Sequence, residues 1–228
     1  MKNLDSVVGD IVQRLEAKDR VREAALRSAR TLTRLSTDAV RAVHKREDAK
    51  RLLGEARREA QGLVSTVKEH ADLYHAGSVE GAMAEYAEAA CLLAVTEGQP
   101  LPTPDQLMVT DAAWLLGLGD VVGELRRMAL DAVRAGDLAK ADASLAHMER
   151  IFDALLRIDV PAALVPIRHK VDVARSLIEK TRGEVAVLAA GKELTAKLDA
   201  LRGSIGRGPA PAPKKGDIDL DIDAVWKP

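Results

Sequence analysis

The sequence predicts an all-α protein, a single-domain bundle of about six to seven long antiparallel helices. Three observations lead there. Aromatic residues make up only 2% of the 228, so the core must be built from aliphatic and small side chains. Ala, Leu and Arg are among the commonest residues, all of high helix propensity. Apolar residues recur at helical spacing along most of the chain, and Pro- and Gly-rich stretches divide it.

The first helix is expected from about Asn3 to Lys45, on the apolar positions Leu4, Val7, Val8, Ile11, Val12 and Leu15, then Leu32, Leu35, Ala39 and Val43. A second runs from about Glu47 to Leu73, with Gly54 and Gly62 against its regularity. His70, Tyr74 and His75 cluster at its end, where His75 is expected to cap a carbonyl rather than serve phosphate binding or proton transfer. Ser78 fits as the N-cap of a third helix and Thr110 as that of a fourth, which stops near Ala135 and Gly136. Asp137 opens a fifth helix, ended by Asp159-Val160-Pro161. A sixth spans about Val165 to Arg202. This assigns residues 1–203 to the helical domain. In 204–228 a Pro/Gly/Ala linker leads to DIDLDIDAVW, whose alternation suits an added strand or docking peptide, but with no sheet foreseen a disordered tail is expected.

The third and fourth helices are the most apolar, yet GAMAEYAEAACLLAV carries Glu85 and Glu88, and AWLLGLGDVVGELRRMAL carries Asp120 and Glu124. Acids are rarely buried without a partner, so these four need a reason. Glu85 and Glu88 stand at i, i+3 and Asp120 and Glu124 at i, i+4, so each pair shares a helix face. In an antiparallel pair of helices the two acid pairs fall at matching heights, and four carboxylates converge. Oxygen ligands without His or Cys suit Mg²⁺ or Mn²⁺ rather than zinc or iron. The plainer alternative is that the acids are solvated or paired with Arg126 and Arg127. Tyr86 and Trp114 lie near the acids, and rings at helical spacing are more often core than base-stacking platforms.

Charge is unevenly spread. Residues 1–70 hold 16 Lys or Arg against 11 Asp or Glu, and the remainder 18 against 24, so a net of −1 conceals a basic N-terminal third. Arg20, Arg27, Arg34 and Arg41 recur every seven residues, with Arg30 and Lys45 beside them. Such a row makes a continuous basic stripe suited to phosphates, unless it is a solvated face paired with Glu16, Glu23 and Asp38. Cys91 is the single cysteine, so no disulfide forms within the chain, in keeping with a reducing cytoplasm. The amphipathic N-terminus is no signal peptide, and no apolar run approaches the roughly 18 residues that span a membrane. There is no glycine-rich phosphate loop, Cys/His zinc spacing or nucleophile elbow.

EYAEA, DAAWLLGLGDVVGELRR, DAVRAGDLAKADASLAHMERIFDALLRID and VDVARSLIEKTRGE together resemble the translin family, from about Lys18 to Glu184. The likeness is greatest to the translin-associated factor X branch and its archaeal relatives. That resemblance implies a metal-dependent endoribonuclease whose catalytic acids, carried over, fall on Glu85, Glu88, Asp120 and Glu124. It also implies RNA, and single-stranded DNA, as ligands, and a closed homo-oligomer, commonly an octamer. Two rivals stand beside it. One is a non-catalytic, single-stranded nucleic-acid-binding protein like translin, which lacks the full acidic set. The other is an all-α nucleoside triphosphate pyrophosphohydrolase, whose pattern supplies more acids per helix.

Overall fold

The computed structural model describes residues 3–205. Eight helices run through them: α1 (Leu4–Lys45), α2 (Ala49–Val67), α3 (Ala71–Tyr74), α4 (Gly77–Thr96), α5 (Pro104–Leu107), α6 (Asp111–Arg134), α7 (Leu138–Leu155) and α8 (Arg168–Ile205). No strand occurs among the described residues, so the all-α class holds. The chain divides into two compact units, residues 1–188 and 189–228. Of the second, the structure describes the last turns of α8, where Leu194, Leu198 and Leu201 are exposed. The expected linker and acidic-apolar tail lie outside the described residues from 206 onward, and α8 itself passes Gly203.

Local chemistry explains most boundaries. Thr110 accepts a hydrogen bond from the Ala113 amide and Asp137 one from the Lys140 amide, as N-caps should. Gly136 turns the chain after α6 at φ +68°, a conformation that favours glycine. Three boundaries differ from expectation. The second helix is α2 and α3, because His70 (φ −129°, ψ 81°) leaves the helical region between them, while Gly54 and Gly62 do not interrupt α2. α4 starts at Gly77, so Ser78 lies inside it and Ala76 takes the cap position without a side-chain bond. Within the Pro-rich connection, Thr103 and Gln106 form a capping box that nucleates the single turn of α5.

In the first unit α1 packs on α2 and α4, α4 on α6, and α6 on α7. Small residues allow the close approach: Ala25 and Ala29 of α1, Ala56 and Ala60 of α2, and Ala82 and Ala87 of α4 are all buried around Leu32, Leu63 and Met83. A second cluster joins Leu118, Val121 and Leu125 of α6 to Met148 and Leu155 of α7 and Ile178 of α8. Each fully buried Leu or Met contributes roughly 1.5–3 kcal/mol, against about 0–1 for an exposed ion pair, so these clusters hold the bundle. The first four turns of α1 lie outside them, and Leu4, Val7, Val8, Ile11, Val12 and Leu15 are exposed.

Candidate metal and nucleic-acid site

The site begins at one glycine. Gly117 of α6 is buried against α4 so closely that a Cβ there would stand 2.4 Å from the Ala84 carbonyl oxygen. Only a residue without a side chain lets the two backbones meet, and the contact sets how the acid-bearing faces of α4 and α6 oppose one another.

The structure brings Glu85, Glu88, Asp120 and Glu124 together. Glu88 is 8% exposed, and burial followed by the charges of Asp120, Glu85 and Glu124 pushes its carboxyl up to about 8. Glu85 is raised too, by burial first, then by Asp120 and Glu124. Asp120 is the acid that bears most on both glutamates of α4. Crowded carboxylates with one held protonated near neutrality are a donor set that a hard cation would relieve.

Two basic residues already answer part of that charge. His44 Nε2 lies 2.5 Å from Glu124 Oε2, with its ring almost wholly buried, and this hydrogen bond holds Glu124 below the usual carboxylate range. Lys170, in the first turn of α8, donates to Asp120 Oδ1 at 2.5 Å. Among the described residues no three His, Cys, Asp or Glu side chains converge closely enough to enclose an ion as they stand. The arginine partners considered from sequence play a small part. Arg127 reaches Glu124 only at 3.9 Å, and Arg126 turns away to Glu184, at 3.0 Å, and to the Thr181 hydroxyl.

Arg20, Arg27, Arg30, Arg34, Arg41 and Lys45 are all exposed on α1. Arg41 pairs with Asp38 at 3.2 Å, while the other five make no ion pair among the described residues. Glu23 instead takes Arg22. At about 100° per residue the six stand roughly 40–120° around α1 from His44, all on one side, with Arg30 and Arg41 nearest. The basic row thus runs beside the helix face that meets the acids.

Other residues take structural places. Tyr86 is 2% exposed in the core, and the Trp114 indole N–H donates to the Pro102 carbonyl at 2.9 Å, so the core reading of both rings holds. Cys91 is fully buried, which pushes its thiol up to about 12. The His75 side chain, expected on a carbonyl, faces Glu80 at 3.1 Å instead, because α4 begins within reach of it. An open groove of about 710 Å³ lies between α1, α4, α6 and α7, lined by His44, Leu93, Leu125, Met128 and His147 among others. None of the four acids lines it.

Sequence reasoning missed His44 and Lys170. They stand 80 and 50 residues from their carboxylate partners, and neither belongs to a local motif.

The chain is similar to known proteins in sequence and in fold. An uncharacterized protein of Methanocaldococcus jannaschii is 29% identical over 181 residues, 77% of this chain and 79% of that one. A solved structure described as a complex of AfC3PO with duplex RNA superposes with a TM-score of 0.75 at 30% identity, covering 81% of this chain and 97% of that chain. A crystal structure of AfC3PO alone gives the same TM-score and coverage at 32% identity. Apo-NeC3PO, 18% identical over 79% of this chain and 96% of that one, shares the fold at a TM-score of 0.71. The sequence profile of the translin family matches residues 6–185, and the chain belongs to that family.

Proposed function

We propose that this protein is a metal-dependent endoribonuclease of the translin-associated factor X type. The observation that carries the reading is the cluster of Glu85, Glu88, Asp120 and Glu124, mutually repelling on two helices that meet at Gly117. These four would hold Mg²⁺ or Mn²⁺. When bound, the ion supplies a hard Lewis acid that activates water and offsets charge on a phosphate. A glutamate not fully engaged as a ligand would accept the proton of the attacking water. The unpaired arginines of α1 grip the RNA backbone through its phosphates, which positions a strand without reading its bases. Asp120 and Lys170 are each about one-third exposed, an open setting that suits a polymer better than an enclosed small molecule. Support also comes from the duplex RNA in a related solved structure.

The protein assembles, on this reading, as a homo-oligomer above a dimer, an octamer by the resemblance, with the exposed stripe Leu4–Leu15 in the contacts. Its setting is cytoplasmic. Among the described residues no helix is long and apolar enough to cross a membrane.

One observation favours the rival, an RNA- or single-stranded-DNA-binding protein without cleavage: Asp120 and Glu124 are engaged by Lys170 and His44. The deciding experiment incubates single- and double-stranded RNA with the protein in Mg²⁺ and in chelator. Mg²⁺-dependent cleavage that Glu88→Gln abolishes is the expected result, and binding without cleavage selects the rival.

A further inference from the structure

Lys170 has no place in the chemistry above, yet it is built into the acid cluster. Its Nζ lies 2.5 Å from Asp120 Oδ1, and its charge also bears on Glu85 and Glu88. The stem is guided onto the site by a second glycine. A Cβ on Gly119 would come within 3.0 Å of the Lys170 Cβ and 3.3 Å of its Cγ, so the missing side chain is what lets the lysine lie across α6. The Lys170 side chain keeps 31% of its surface exposed, which leaves the ammonium a path to water without repacking.

We propose that Lys170 is the built-in counter-cation of this site, competing with the divalent ion for Asp120 and so setting the ion concentration at which the site loads. The inference rests on the metal reading above. An ammonium is a compact single charge on a flexible stem, a better movable occupant than a planar guanidinium. Its hold on the cluster scales with one unit of charge, so a divalent ion at the same carboxylates displaces it where Na⁺ or K⁺ does not. Lys170 then stabilises the acids while no ion is present, and tunes affinity without being a ligand.

The test uses the full-length protein stripped with chelator, then titrated with Mn²⁺ in a calorimeter, as wild type, Lys170→Gln, Lys170→Met and Asp120→Asn. Lys170→Met keeps the stem over Gly119, so it separates the loss of charge from the loss of packing. Both Lys170 variants are expected to bind Mn²⁺ at least about tenfold more tightly than wild type. They should also melt at lower temperature in chelator and gain more from saturating Mn²⁺. Affinity equal to or weaker than wild type in both variants overturns the proposal. If Asp120→Asn loses Mn²⁺ binding while the Lys170 variants match wild type, Lys170 alone is wrong. If no protein in the set binds Mn²⁺, the metal reading itself falls, and the role of Lys170 with it.

Discussion

Gly117 of α6 and Glu88 of α4 touch backbone to backbone: a Cβ on Gly117 would stand 2.8 Å from the Glu88 amide nitrogen. The most strongly perturbed acid of the site is therefore placed by main-chain contact, not by side-chain packing. Gly117→Ala must push the helices apart, because the obstructing atoms are backbone and cannot rotate away. We expect a loss of about 1–3 kcal/mol by urea denaturation, and loss of cleavage with it. Gly119→Ala meets only the Lys170 stem and should cost less. Equal stabilities for the two variants would argue against the crossing as described.

The four acids should fail together. Glu85→Gln, Glu88→Gln, Asp120→Asn and Glu124→Gln are each expected to remove most cleavage while circular dichroism remains that of wild type. Groups that act as a unit are non-additive, so a double variant should lose little more than a single one. A wild-type rate in any one of them removes that residue from the site.

RNA affinity should depend on salt through the row on α1. Replacing Arg27, Arg34 and Arg41 by Ala should reduce the slope of log K against log salt by up to about three units, roughly 0.7–0.9 for each phosphate no longer neutralised. Fluorescence anisotropy at several salt concentrations measures it, and an unchanged slope would leave the row a solvated surface.

Stability without metal should depend on pH through Glu88. Its carboxyl is raised from 4.5 to about 8, so the folded chain keeps a proton that the unfolded chain has lost. The stability it contributes is full below its unfolded value and disappears as pH rises through about 8, a change of a few kcal/mol. Glu124, held low by His44, acts in the opposite sense, and its contribution is lost as pH falls. In chelator, Glu88→Gln should gain on wild type between about pH 5.5 and about pH 8.5. A pH-independent difference in denaturation midpoint would contradict this.

Assembly can be weighed directly. Light scattering at micromolar concentration should give a mass well above two chains of 24.5 kDa. Leu4→Glu with Val8→Glu and Ile11→Glu, all on exposed positions, should lower that mass without unfolding the bundle. A monomer or dimer in the wild type refutes the closed assembly.

Much of the fold is readable in the chain because its signals are local. Thr110, Gly136 and Asp137 act within a turn of themselves, and the acids share helix faces by spacing alone. The break at His70 is less legible, whereas the end of the first helix at Lys45 falls where it is expected. Arg46 takes the left-handed conformation there without glycine, held by its N–H on the carbonyls of Ala42 and Val43. Least legible are the partners of the acids. His44 and Lys170 reach Glu124 and Asp120 from α1 and α8, far away in sequence, and Gly119, which admits the Lys170 stem, looks in sequence like a weak point of a helix.

α1 runs 42 residues, about 63 Å, with no glycine after Gly9 and no proline. It is a shaft without a hinge. One end offers the apolar stripe, the middle bears the arginines, and the far end seats His44 against Glu124. If the proposed assembly grips the first four turns, that grip would fix the axial position and rotation of what lies beyond and so couple the contact to the carboxylate cluster. Strain applied at that end would meet neither proline nor glycine between Asp10 and His44.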